Sequence, residues 1–195
     1  MRNILEREVM IGTQYRVIRV LGRGGSAITY EAEHVETKKR VALKHVTLDA
    51  LDESDLLGNL QREARALCAI KHPSIPRYLD HFPIETIEGP AFCLIQDLAP
   101  GRSLAEWRTQ GWHPDESEVK RLAFALLEVL RYLHSLTPPI LHGNLNPHNI
   151  FREPGGRLWV VDFGAIRDAS STTAPGAGAP VASQGYVAPE QLAGS

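Results

Sequence analysis

LHGNLNPHNIF, Leu141–Phe151, carries asparagine at two positions, Asn144 and Asn146, where a reactive loop would carry a carboxylate and an ammonium. A histidine and a glycine open the stretch, Pro147 turns it, and Ile150 and Phe151 lead into an apolar strand. The polar positions are Asn144, Asn146 and Asn149. An amide donates and accepts hydrogen bonds, but it neither takes up a proton near neutral pH nor bears a charge.

Downstream, Arg157–Val161 reads as a strand that delivers Asp162, Phe163 and Gly164, and the Ser-, Thr-, Ala- and Gly-rich run Ala169–Gly178 reads as mobile. Upstream, Val119, Leu122, Ala123, Leu126, Leu130 and Leu133 recur at helical spacing after Pro114 and Asp115, which predicts a long amphipathic helix. Pro100 and Gly101 mark a connector before it.

The first half is different. Tyr15–Leu21, Ile28–Val35 and Val41–Val46 are short β-branched or alternating runs separated by turn chemistry, and further strands are expected near Arg77–Phe82 and Ala91–Ile95. Leu56, Leu60, Leu67 and Ile70 predict one helix among them, ended by the HPSIP run His72–Pro76. The chain is therefore α+β, with a five-stranded antiparallel sheet and one helix followed by a mainly helical half.

Bulk properties bound the function. A net charge of −2 over 195 residues leaves no electrostatic case for nucleic acid or an anionic membrane. The most apolar run, Leu122–Leu133, is interrupted by Glu128 and Arg131 and is too short to cross a bilayer. The N-terminus lacks the apolar core of a signal peptide. Cys68 and Cys93 have no CxxC spacing and are expected as buried free thiols, which fits a reducing, cytoplasmic setting.

Several residues can carry chemistry. Gly22, Gly24 and Gly25 lie in LGRGGSAITY, where a phosphate-cradling loop and an ordinary glycine-rich hairpin read equally well. A dinucleotide fingerprint would need a helix directly after the glycines, and β-branched alternation follows instead. Alternation in VALKHV puts Ala42, Lys44 and Val46 on one face. If that face is covered, Lys44 points inward and can pair with Glu63 of the predicted helix, each relieving the other's burial. On an edge strand Lys44 would instead reach water. Asn149 and Asp162 both offer oxygen to a hard cation such as magnesium, whereas a lone Asp-x-Gly also reads as a simple turn.

Taken in order, these motifs resemble the protein kinase domain, closest to bacterial serine/threonine kinases. The matches are LGRGGSAITY, VALK at Lys44, Glu63, HGNLNPHNI, DFG at Asp162–Gly164 and APE at Ala188–Glu190. The resemblance implies a bilobal fold: an extension over 1–14, an N-lobe over 15–96, a hinge over 97–102 and a partial C-lobe over 103–195. It also implies further helices after Glu190, without which the helical lobe would expose apolar surface.

The same resemblance implies ATP and Mg2+ as ligands. Gly22, Gly24, Gly25 and Thr29 would cover the nucleotide. Ala42 and Phe151 would line the adenine pocket, with Gln96 as gatekeeper and Asp97, Leu98 and Ala99 as hinge. Lys44, paired with Glu63, would hold phosphates, while Asn149 and Asp162 would hold magnesium. Leu67, Phe82, His142 and Phe163 would stack as a regulatory spine.

The departures concern turnover. The positions of the family's catalytic Asp, Lys and Arg are Asn144, Asn146 and Gly143. Asn144 can orient a hydroxyl but cannot act as base, which costs on the order of 10²–10⁴ in rate. Asn146 removes a positive charge from the transferring phosphate. Gly143 removes the arginine that would clamp a phosphorylated Ser170, Ser171, Thr172 or Thr173, and Ser183 would face two asparagines. His148 is a poor substitute base, since its family counterpart points away from the phosphates.

The expectation is a Mg-ATP-binding kinase-like domain with weak or absent phosphotransfer, a pseudokinase whose partner is a nucleotide and whose output is a protein substrate or regulatory partner. The alternatives are an active serine/threonine kinase, a small-molecule kinase of the aminoglycoside or choline type (because Gly143 follows His142) and a non-functional fragment.

Overall fold

A computed structural model describes residues 9–23, 27–48, 61, 64–65, 67–86, 89–162, 167–168 and 186. The chain divides into two compact units, Met1–Lys71 with Arg77–Leu98, and His72–Pro76 with Ala99–Ser195.

In the first unit, β1 (Met10–Ile11), β2 (Tyr15–Arg23), β3 (Ala27–His34), β4 (Arg40–Thr47), β5 (Tyr78–Thr86) and β6 (Gly89–Asp97) form one antiparallel sheet. Its order is β1-β2-β3-β4-β6-β5. The five expected strands are present, and β1 adds a sixth at the edge. That edge strand belongs to the core. Ile11 is 2% exposed and packs with Tyr15, Val17, Tyr30, Leu43 and Ile95, while Val17 N–H donates to the Val9 carbonyl at 2.9 Å. The structured region thus reaches residues assigned to the extension before Tyr15.

Alternation sorts the sheet into two faces. Ile28, Tyr30, Ala32, Val41 and Leu43 share the apolar cluster of Ile11. The opposite face carries Thr29, Lys44 and Leu94, which lie side by side in register. There Leu94 packs with Leu48, Phe92 and Ala64, one of the helical residues between β4 and β5. Leu67 and Ile70 of the predicted apolar stripe are also buried, whereas Leu56, Leu60 and Glu63 lie outside the described residues.

Two expectations need correction here. Cys68 is exposed, although the neighbouring Leu67 is buried. Cys93 is buried as expected, and burial pushes its thiol up to about 12. Phe82 sits opposite Cys93, on the Ile11 face, and stacks on Tyr15 with centroids 6.0 Å apart. It faces away from Lys44 and cannot join the expected spine. The strand's period of two decides this, and a shift of one residue changes the face.

The second unit contains α1 (Leu104–Thr109), α2 (Glu116–His134) and short strands β7 (Arg102–Ser103), β8 (Ile140–Leu141), β9 (Ile150–Arg152), β10 (Leu158–Val160) and β11 (Arg167–Asp168). Ser103 and Glu106 form a reciprocal capping box at the start of α1. Asp115 caps α2 by accepting from Glu118 N–H at 2.7 Å, and acidic residues in its first turn and Arg131 and His134 in its last suit the helix dipole. The buried stripe of α2 centres on Val129 and Leu133, against β8 and β10. Of the expected face Leu133 is buried and Leu122, Leu126 and Leu130 are partly buried, but Val119 is half exposed and Ala123 is exposed, and so are Phe124 and Leu127. Hydropathy alone did not separate two apolar sides of one helix. The segment His72–Pro76 joins this unit through His72 against Tyr132 and Val160 N–H on the Ser74 carbonyl at 2.9 Å.

Ile11→Ala should destabilise the protein by about 2–4 kcal/mol, as for other fully buried large-to-small changes, measured by urea unfolding. At the end of β6, burial of Asp97 opposes ionisation, but hydrogen bonds from Lys39 and Arg77 outweigh it and hold the carboxyl below its ordinary range. A depressed folded value means stability present above the unfolded pKa and lost as pH falls through the folded one. Asp97→Asn should therefore flatten the acid limb of a stability-versus-pH curve measured by urea unfolding.

Candidate active site

Each unit gathers a share of the expected residues. In the first, β4 is interior to the sheet, so Lys44 is not the edge lysine of the solvent reading. Lys44 lies between Thr29 and Leu94 in cross-strand register, and Gly22 pairs with Thr29. Ala42, 5% exposed, lies between Glu31 and Gln96. Gly22, Thr29, Ala42, Lys44 and Gln96 therefore occupy one face, by the register rule that paired residues share a side. Glu31 is buried on this face, and its two oxygens accept from Arg19 and Arg40, each at 2.6 Å. A carboxylate paired twice in this way is satisfied in place. The Asp97 N–H donates to the Arg77 carbonyl at 2.8 Å, so of its backbone groups the N–H is already committed. Gly24, Gly25 and Glu63 lie outside the described residues.

The second unit holds the loop itself. Gly143 has φ +69°, a left-handed conformation that strains any residue with a Cβ. The turn brings Asn144 N–H onto Nδ1 of His142 at 3.3 Å. With Nδ1 accepting, Nε2 carries the ring proton, directed at the Val161 carbonyl 3.2 Å away. The buried imidazole thus ties the loop to the strand that delivers Asp162.

Asn146 is 4% exposed. Its Nδ2 donates to the Asn144 carbonyl at 3.0 Å and to Asn144 Oδ1 at 3.1 Å, and its Oδ1 accepts from His148 N–H at 2.9 Å. Asn149, also buried, donates Nδ2 to the Asn144 carbonyl at 2.9 Å. Its own carbonyl accepts from Val161 N–H at 2.9 Å, which places Asn149 beside the residue preceding Asp162. Asn144 Nδ2 reaches Asp162 Oδ2 at 3.4 Å, a long contact. Asp162 has φ +59°, unusual for a residue with a side chain and costly unless its surroundings enforce it. The three amides and Asp162 form one connected network.

This geometry suits some roles better than others. Asn149 uses its nitrogen within the loop, and its side-chain oxygen, like the Asp162 carboxylate, is of the type a hard cation takes. Among the described residues no three or more His, Cys, Asp or Glu gather as a self-contained metal cage. An oxygen pair of this kind fits a hard cation that completes its shell with phosphate and water. Asn146, in contrast, directs its donors inward at Asn144. His148 is exposed, and its backbone rather than its ring serves the loop. Phe151 lies across from Ser103 and Trp159 in a three-stranded sheet. Phe163, Ser170–Thr173, Ser183 and Ala188–Glu190 lie outside the described residues.

The sequence reading passed over Trp107, Trp112 and Arg152, which surround the strand carrying Phe151. The available signal was an arginine directly after the apolar pair Ile150 and Phe151; its proximity to Trp107 and Trp112 was not readable from the chain.

Residues 15–195 match the protein kinase domain. The chain is 27% identical over 184 residues to serine/threonine-protein kinase PrkC of Bacillus subtilis, covering 94% of this chain and 28% of that protein. It is 30% identical over 199 residues to serine/threonine-protein kinase C of Synechocystis, covering 95% and 36%. It is 30% identical over 194 residues to serine/threonine-protein kinase pkn2 of Myxococcus xanthus, covering 96% and 22%. The chain thus spans well under half the length of each of these relatives. Among the described residues no helix is long and apolar enough to cross a membrane. An interior strand lysine, an Asn–Asp oxygen pair behind a buried histidine and a match over nearly the whole length place this chain in the protein kinase domain family, as a bacterial serine/threonine kinase-like domain.

Proposed function

We propose that this domain binds Mg-ATP and transfers phosphate to protein weakly or not at all. The observation that carries the reading is the inward commitment of Asn146: buried, with its amide nitrogen shared between two oxygens of Asn144 and its oxygen held by His148 N–H.

The nucleotide side keeps its chemistry. Lys44, on the face with Gly22 and Thr29, is the cation for phosphate oxygens, with Glu63 as its partner. Ala42, Gln96, Ala99 and Phe151 serve the base, with Gly24 and Gly25 over the phosphates. Asn149 and Asp162 hold magnesium, which when bound neutralises phosphate charge. These assignments require no proton transfer.

The turnover side is depleted. A hydroxyl substrate needs an acceptor for its proton, and the amide oxygen of Asn144 has no such capacity. That oxygen already accepts from Asn146. The transferring phosphate needs a positive neighbour, and Asn146 is neutral and turned inward. Nucleotide occupancy without turnover suits a switch or scaffold acting on a regulatory protein partner.

Thermal unfolding with Mg-ATP tests the binding half. Tm should rise with nucleotide, reaching about 2.7 kcal/mol of stabilisation at a hundredfold excess over Kd. No rise at millimolar Mg-ATP overturns the reading. Radiolabelled ATP with a generic protein substrate tests the other half, and turnover within tenfold of ordinary kinases would exclude a pseudokinase. Asn144→Asp with Asn146→Lys should raise phosphotransfer on the order of 10²-fold or more, by restoring base and charge together. Asn146→Lys alone should lower stability, because it removes three internal hydrogen bonds.

A further inference from the structure

We infer that Arg152 is a positioning residue for the adenine end of the nucleotide, acting through Phe151. The inference rests on the nucleotide reading above.

Phe151 and Arg152 are neighbours on β9, so they point to opposite faces of a small sheet. β7 pairs with them in antiparallel register, Arg102 opposite Arg152 and Ser103 opposite Phe151. β7 begins three residues after Ala99, the residue proposed to meet adenine through its backbone. The bridge is only two residues long, too little by itself to hold two segments in one geometry.

Further contacts converge on Arg152. At Gly101, with φ +87°, a Cβ would lie 2.3 Å from the Arg152 carbonyl oxygen, so the two backbones meet where only glycine fits. The same carbonyl accepts from Trp107 Nε1 at 3.0 Å. The Arg152 guanidinium lies 5.4 Å from the Trp107 ring centroid and 5.2 Å from that of Trp112, within cation–π range of both. It also pairs with Glu118 near the start of α2, and its side chain is only 13% exposed. Its buried Nε has no hydrogen-bond partner. Arg102, its like-charged cross-strand neighbour, lies over Trp107 at 5.9 Å and bonds to Gln110.

Like charges directly opposite on paired strands repel. A buried arginine that lacks one hydrogen bond adds a desolvation cost. The arrangement persists because two indoles and a carboxylate oppose those costs. It joins four segments: the chain after Ala99, α1, the first turn of α2 and β9. Phe151 sits on the strand so held. A rigid aromatic face offered at a set distance from a backbone donor is what adenine requires, and such preorganisation lowers the entropy lost on binding.

Calorimetric titration with adenosine, ATP and Mg-ATP tests the inference on the full chain. Arg152→Ala should weaken adenosine and ATP in parallel, by about tenfold, the scale on which preorganised contacts alter affinity. The gain in affinity from Mg2+ should stay as in the parent, since Asn149 and Asp162 are untouched. Because Arg152 acts through Phe151, Phe151→Ala with Arg152→Ala should bind no more weakly than Phe151→Ala alone. Trp107→Phe keeps the ring but removes the donor to the Arg152 carbonyl. It should show a smaller loss of the same pattern, and it serves if Arg152→Ala fails to fold. If the parent binds nucleotide and Arg152→Ala or Trp107→Phe leaves adenosine affinity unchanged, or if the Phe151 and Arg152 losses add, the inference is overturned alone. A parent chain that binds no nucleotide overturns the nucleotide reading and this inference with it.

Discussion

The short arc from Asn144 to Asn149 is held by amides that bond to one another, and the rest of the second unit's chemistry depends on it. Two side chains, Asn146 and Asn149, make three bonds to the main chain and side chain of Asn144. A loop with an aspartate and a lysine in these places would hold opposite charges and keep them for a substrate. With amides the electrostatic drive is gone, and satisfaction of buried polar groups takes over. Asn146 at 4% exposure must find partners, and the nearest ones are in its own loop. The same constraint that stabilises the turn therefore takes its side chain away from any ligand.

The loop is still aimed. His142 connects Asn144 to the Val161 carbonyl, and Asn149 connects to Val161 N–H, so two bonds on one residue fix where Asp162 begins. Asp162 then adopts a left-handed φ. Strain at a single carboxylate persists only where neighbouring bonds over-determine it, and here they do. Gly143 supplies the turn that lets His142 and Asn144 meet. An arginine there would bring both a charge and a Cβ into a backbone conformation suited to neither.

The first unit rests on a different principle, alternation across a six-stranded sheet. One face is an apolar cluster that extends to Ile11, and the other carries Lys44 beside Leu94, which packs on a helical residue, Ala64. Interior position keeps Lys44 off the sheet edge without any loop having to hold it.

Much of this was legible in the chain. Period-two runs marked the strands and the face of Lys44, and a proline, a capping aspartate and periodic leucines marked α2, because these signals act between near neighbours. The identity of Asn144 and Asn146 was enough to question turnover, since an amide lacks a proton site wherever it sits. Tertiary structure alone decided the rest. It put Ile11 in the core and turned Phe82 to the face opposite Lys44. It buried Val129 rather than Val119 on α2, and it left Cys68 exposed. It also turned Asn146 onto Asn144 and gathered Trp107, Trp112 and Arg152 around the strand of Phe151. Each of these depends on which of two apolar or polar options meets a partner far away in sequence, and burial is a property of the packed pair rather than of either residue.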